Sequence, residues 1–112
     1  MKKYEIVKSH EQFNEIINKG KYIKNNYFVI YYIDNNNNKP HFGIAVGKKI
    51  GHAVQRNKYK RQIRTIIDAN KKFFNKNKDY IIMIKKTCDN LKYNELFLEL
   101  SNLIKEIKWK NK

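Results

Sequence analysis

Asp79-Tyr80-Ile81-Ile82-Met83-Ile84-Lys85, residues 79–85, is a nearly continuous apolar run. A strand with one wet face alternates apolar and polar residues, whereas a strand inside a sheet does not. The run therefore reads as an interior strand, and the other elements must supply its neighbours and cover. Just upstream, Gly51 breaks the chain and a helix is expected over 52–71. Val54, Tyr59, Ile63, Ile66 and Ile67 form its apolar side, with Ala53 and Ala69 at the margins and Phe73 and Phe74 closing its end. Asn75-Lys76-Asn77-Lys78 is a loop before the strand. Downstream, Tyr93, Leu96, Phe97, Leu100, Leu103, Ile104 and Ile107 follow the i, i+3, i+4, i+7 rule of a last helix over 93–109.

The first half of the chain supplies the remaining strands. Tyr27-Phe28-Val29-Ile30-Tyr31-Tyr32-Ile33 is aromatic and β-branched, as a strand requires. Tyr22 and Ile23 make a weaker strand before it, and residues 42–47 the next one, antiparallel to it. Asp34 to Pro40, with four consecutive asparagines, is a loop by composition. Residues 9–19 read as a helix: Ser9 can cap it, Gln12 stands at the capping-box spacing, Phe13, Ile16 and Ile17 recur at helical period, and Gly20 stops it. The order α-β-β-β-α-β-α predicts an α/β (α+β) two-layer sandwich around a mixed four-stranded sheet. With 112 residues, no internal repeat and no linker, one domain over 1–112 is expected.

Composition narrows the function. Lys and Arg number 25 against 10 Asp and Glu, a formal charge of +15. So much charge on so small a body repels itself, and a polyanionic partner is its natural counterpart. Nucleic acid leads, ahead of an anionic membrane surface and of plain solubility. The lone Cys88 excludes an internal disulfide and fits a reducing compartment. His10, His41 and His52 lack metal-ligand spacing, and no apolar run approaches the ~20 residues that span a bilayer. A signal-peptide core is missing behind Lys2 and Lys3.

The charge is also unevenly placed. No acid lies between Asp34 and Asp68, a window holding Lys39, Lys48, Lys49, Arg56, Lys58, Lys60, Arg61 and Arg64. The chain's arginines are Arg56, Arg61 and Arg64 alone. Lysine suffices for a solvated point charge, whereas the arginine fork grips phosphate or a base edge in two places and stacks on bases. Arg56, Lys60 and Arg64 are spaced i, i+4, i+8 and share a helix face, with Asn57 and Arg61 beside them. The helix start at Gly51-His52-Ala53, preceded by Lys48 and Lys49, offers a second anion site. The bland alternative is a solvated charged face. Phe13 and Ile17, one turn apart, and Tyr31 on the following strand could floor a cleft in which unpaired bases stack, or they could simply be core. His52 reads as a surface histidine, and no Ser/His/Asp, paired-carboxylate or glycine-loop phosphate motif is present.

Residues 43–64, Gly43-Ile44-Ala45-Val46-Gly47-Lys48-Lys49-Ile50-Gly51-His52-Ala53-Val54-Gln55-Arg56-Asn57-Lys58-Tyr59-Lys60-Arg61-Gln62-Ile63-Arg64, resemble the signature of the bacterial ribonuclease P protein subunit. That family shows a strand ending in a Lys-Lys pair and then Gly-x-Ala-Val-x-Arg-Asn-x-x-Lys-Arg-x-x-Arg. The resemblance covers nearly the whole chain. Gly47, Ile17, Thr65 and Lys85 stand where the family often has serine, an aromatic, an acid and arginine. The resemblance implies the small protein of a cytoplasmic ribonucleoprotein that cuts the 5′ leader from precursor tRNA, with hydrolysis performed by the RNA through Mg²⁺. It implies a left-handed β-α-β crossover, where the general rule for such crossovers is right-handed. Lys48, Lys49, Arg56, Asn57, Lys60, Arg61 and Arg64 would face ribonuclease P RNA, and Phe13, Ile17 and Tyr31 would hold the leader. No residue is assigned to catalysis or to a metal, and neither a membrane nor an obligate protein partner is implied. Two other functions stay open: a free-standing basic endoribonuclease, for which His41, His52 and Tyr59 are the candidates, and a non-catalytic RNA chaperone.

Overall fold

A computed structural model of the chain describes residues 6–7, 9–35 and 39–110, so all but the first of the four consecutive asparagines lie outside the described residues. The elements run α1 (His10–Lys19), β1 (Lys21–Lys24), β2 (Phe28–Asp34), β3 (His41–Ala45), α2 (Ala53–Ala69), β4 (Lys78–Ile84) and α3 (Tyr93–Lys110), with short 3-10 turns at Lys48–Ile50, Lys71–Phe73 and Lys86–Asn90. The sheet has four strands in the order β1-β2-β4-β3. β4 pairs antiparallel with β2 and parallel with β3. The interior position expected of residues 79–85 is therefore occupied, and the mixed sheet is the one anticipated. β3 does run opposite to β2, yet the two are not neighbours, because β4 lies between them.

Period-2 alternation splits the sheet into two faces. Ile23, Phe28, Ile30, Tyr32, Phe42, Tyr80, Ile82 and Ile84 point into the main core against α2 and α3. Tyr59, Ile63, Ile66 and Ile67 of α2 meet them, together with Leu96, Leu100, Leu103, Ile104 and Ile107 of α3. Val54 does not join this stripe and is 83% exposed. It precedes Ile63 by nine positions, two and a half helical turns, which puts it on the opposite side of α2. Asn70 and Ser101 tie the two helices: the Asn70 amide donates to Ser101 Oγ and to the Ile66 carbonyl, both at 2.9 Å.

α1 packs against β2 and β4 on the opposite face of the sheet, where Val29, Ile81 and Ile16 are buried outside the main core. Ser9 Oγ accepts from the Gln12 N–H at 3.2 Å, the first half of a capping box. The Gln12 side chain does not return to Ser9; it reaches Asp79 instead. Gly20 ends the helix because β2 passes close by: a Cβ there would sit 2.4 Å from the Ile16 carbonyl oxygen and 2.6 Å from that of Tyr32. α1 is only ten residues long and covers part of this face, leaving Tyr31 half-buried and Tyr22 exposed beside it.

Candidate nucleic-acid interface

The site has two parts, and local sequence builds each. On α2, the helical period sorts the basic side chains into two rows. Arg56 and Lys60, on the row that also holds Arg64, are half-buried, Lys60 beside the β3 edge, whereas Arg64 itself, Asn57 and Arg61 are exposed. Among the described residues no carboxylate pairs with Arg56, Lys60, Arg61 or Arg64, whereas His41, Lys71 and Lys78 each face one. Arg56 Nε is shielded from solvent and has no hydrogen-bond acceptor among the described residues. Upstream, Lys49 is exposed in the turn before α2; the side chain of Lys48 lies outside the description. Gly51 takes φ of 142°, a value glycine alone adopts without strain, and so re-aims the chain into the helix. His52 caps α2 in extended conformation with no side-chain bond, and the first turn holds no acid.

The second part is the face of the sheet beside α1, where the expected leader cleft would lie. Phe13, Ile17 and Tyr31 are all half-buried, neither core nor fully exposed. Phe13 lies over Gly43: a Cβ on Gly43 would stand 2.9 Å from Phe13 Cε2 and 2.5 Å from Ile81 Cδ1. The glycine is thus what lets α1 lie this close to β3. Tyr31 packs its ring against Tyr22 of β1, centroids 5.9 Å apart. Asp79 fastens the assembly at the head of β4. Its Oδ2 accepts from Gln12 Nε2 at 3.2 Å; its Oδ1 accepts from Asn35 Nδ2 at 2.5 Å and from the His41 N–H at 3.2 Å. His41 Nδ1 also lies 2.8 Å from Oδ1.

The two parts meet at the β3 edge. A hollow of about 130 Å³ is lined by Phe13, Gly43, Ile44, Lys60 and Arg64 among others. Around the strand ends, a second hollow of about 690 Å³ is lined by Ala45, Val46, Ile50 and Met83 and by three lysines, Lys49, Lys60 and Lys86. Lys60 borders both. The arrangement presents cations along α2 and, beside them, Phe13 in one hollow with Lys60 and Arg64; Ile17 and Tyr31 are half-buried on the same side of the sheet but do not line that hollow. That combination suits a folded polyanion on one side and an unpaired strand on the other.

The Ribonuclease P family model matches residues 1–108. The chain belongs to the ribonuclease P protein family. The protein component of ribonuclease P from Mycoplasma mycoides is 50% identical over 109 residues, covering 96% of this chain and 100% of that protein. Its Bacillus cereus counterpart is 38% identical over 107 residues, covering 94% and 92%. Among solved structures, the RNase P protein from Thermotoga maritima superposes with a TM-score of 0.82 at 30% identity, over 91% of this chain and 96% of that one. A Staphylococcus aureus RNase P protein mutant with defective mRNA degradation activity superposes with a TM-score of 0.87 at 31% identity, over 95% and 90%. The chain is the protein subunit of a ribonucleoprotein endoribonuclease. It works with an RNA subunit in removing the 5′ leader during tRNA maturation. No helix among the described residues is long and apolar enough to cross a membrane.

Three features escaped the sequence reading. Gly43 was visible only as part of a strand, Asp79 only as its opening residue, and Tyr22 only as half of a weak strand. The signal for Tyr22 was its alternation with Ile23, which sends the two side chains to opposite faces.

Proposed function

We propose that the α2 face docks on ribonuclease P RNA while the sheet face beside α1 holds the single-stranded 5′ leader of precursor tRNA. Arg56, Asn57, Lys60, Arg61 and Arg64, with Lys48 and Lys49, would neutralise and grip the folded RNA. Phe13, Ile17 and Tyr31 would receive unpaired leader bases. The observation that carries this reading is the shared hollow, in which Phe13 of α1 and Lys60 and Arg64 of the basic helix line one space. A leader lying on that face is thereby delivered to the edge where the protein meets its RNA partner. Arg56, which no carboxylate engages among the described residues, keeps the outer nitrogens of its guanidinium for a phosphate.

Mg²⁺, which serves hydrolysis in this family, falls to the RNA and the substrate. Among the described residues no group of three His, Cys, Asp or Glu side chains could hold a metal ion. The protein's contribution is positional: it neutralises phosphates and fixes the leader, so precursor binds better than mature product. The cytoplasm, where tRNA is made in a bacterium, is its place of work. Nor do His41, His52 and Tyr59 form a catalytic set for a free-standing nuclease. His41 is engaged by Asp79 and Tyr59 by Asp89, while His52 is exposed.

Binding of alanine variants to both RNAs tests the division of labour. Arg61→Ala is expected to weaken RNA-subunit binding about tenfold and to lower the salt slope by about 0.7 to 0.9. Tyr31→Ala is expected to spare that binding and to reduce the preference for leader-bearing over leaderless tRNA by about tenfold. The opposite ordering would refute the assignment. Purified protein without RNA should leave precursor tRNA uncut.

A further inference from the structure

The sheet face beside α1 does not stop at Tyr31. Tyr22 is its cross-strand partner on β1, their rings are 5.9 Å apart and tilted by 49°, and Tyr22 is 57% exposed. Tyr22 is the second residue of the four-residue edge strand β1, and Tyr31 covers one side of its ring and leaves the outer side uncovered. Two residues on, Lys24 projects from the same face of β1, exposed, and pairs with no carboxylate among the described residues. The alternating residue Ile23 points into the core, which fixes the orientation of both. An uncovered ring with an ammonium group one pleat away is what a nucleotide needs, a platform for the base and a charge for its phosphate.

We propose that Tyr22 and Lys24 form a distal subsite for one further unpaired nucleotide of the leader. This rests on the reading of this face as the leader cleft. From Gly43 on β3 to Tyr22 on β1 the sheet spans three strand spacings, about 14 Å, room for a short run of nucleotides crossing the strands. The α2 end of that run lies beside Lys60 and Arg64, on the face proposed above to dock on the RNA subunit. Tyr22 therefore takes the nucleotide farther from the cleavage point.

Reconstituted holoenzyme and precursor tRNAs with unstructured leaders shortened one nucleotide at a time supply the test. For the native protein, affinity is expected to rise with leader length to a plateau. Tyr22→Ala is expected to reach its plateau one nucleotide sooner, binding long leaders about five- to tenfold more weakly and the shortest leaders equally well. Tyr22→Phe keeps the ring and should behave as the native protein. Lys24→Ala should lower the salt slope by about 0.7 for long leaders only. A loss in Tyr22→Ala that is equal at every leader length marks a merely structural role and overturns the subsite. So does no loss at all in a background where Tyr31→Ala abolishes leader preference. If Phe13→Ala and Tyr31→Ala both leave leader preference intact, the cleft itself is refuted, and the subsite with it.

Discussion

Asp79 spends two carboxylate oxygens on donors from three separate segments: Gln12 of α1, Asn35 after β2 and His41 of β3. It is 5% exposed, so these bonds are made out of reach of water. Asp79→Ala strands three sets of donors and should cost about 2 to 4 kcal/mol of stability, read as a drop in the urea midpoint. Asp79→Asn, which keeps acceptor capacity on one side, should cost less. Because the residue pins α1 beside Phe13, its alanine variant should also lose leader preference faster than RNA-subunit affinity. None of this was readable beforehand, since the partners lie 38 to 67 residues from Asp79 in the chain. The basic row of α2 was readable, because Arg56, Lys60 and Arg64 are related by local helical spacing alone.

At the level of elements, Gly43 is the contact between a helix and a strand. Gly43→Ala forces a methyl group against Ile81 Cδ1 and the Phe13 ring. Overpacking of this kind costs about 1 to 3 kcal/mol, and the ring is the part that can yield. The expected outcome is a protein with lower thermal stability and a displaced α1. Its preference for leader-bearing tRNA should fall by more than its affinity for the RNA subunit. Helix positions were legible from periodicity and stop signals: α1, α2 and α3 begin and end within about two residues of expectation, as is usual for such boundaries. Strand identity was legible for the same reason. Strand order was not, because a strand's pattern reports how many of its faces are buried and not which strand lies alongside. The one misassigned side chain in α2, Val54, is a polar-face residue with an apolar side chain, and counting turns from Ile63 corrects it.

The whole molecule carries a pH signature that follows from its enclosed acids. Burial pushes the Tyr80 hydroxyl up to about 12 and the Cys88 thiol up to about 11, from ordinary values of 10.0 and 9.0. Burial is also the first cause of the rise of Tyr59 to about 12, helped by Cys88 and by Asp89, to which it donates a hydrogen bond. In each case the folded protein keeps a proton that the unfolded chain has lost. Stability is therefore intact below about pH 9 and falls as pH rises toward 12, each group contributing at most about 1.4 kcal/mol per pH unit between its two values. Urea midpoints at pH 8.5 and 10.5 should show the fall, and Cys88→Ala should flatten its early part. The same thiol should resist alkylation at pH 8 until denaturant is added. Net charge was the most legible global property, and it points to the partner class without naming a surface.

The central place of β4 carries a consequence for synthesis. A ribosome releases β1, β2, β3 and α2 before residues 78–84 exist, and the slot between β2 and β3 stays vacant until the last third of the polypeptide emerges. During that interval the nascent chain displays the facing edges of β2 and β3 and its most cationic helix together, and no strand sets β3 in register with the β1–β2 hairpin. Truncation anywhere before residue 78 should leave at most the β1–β2 hairpin, with β3 unpaired, and the four-stranded sheet should close only when that one strand inserts.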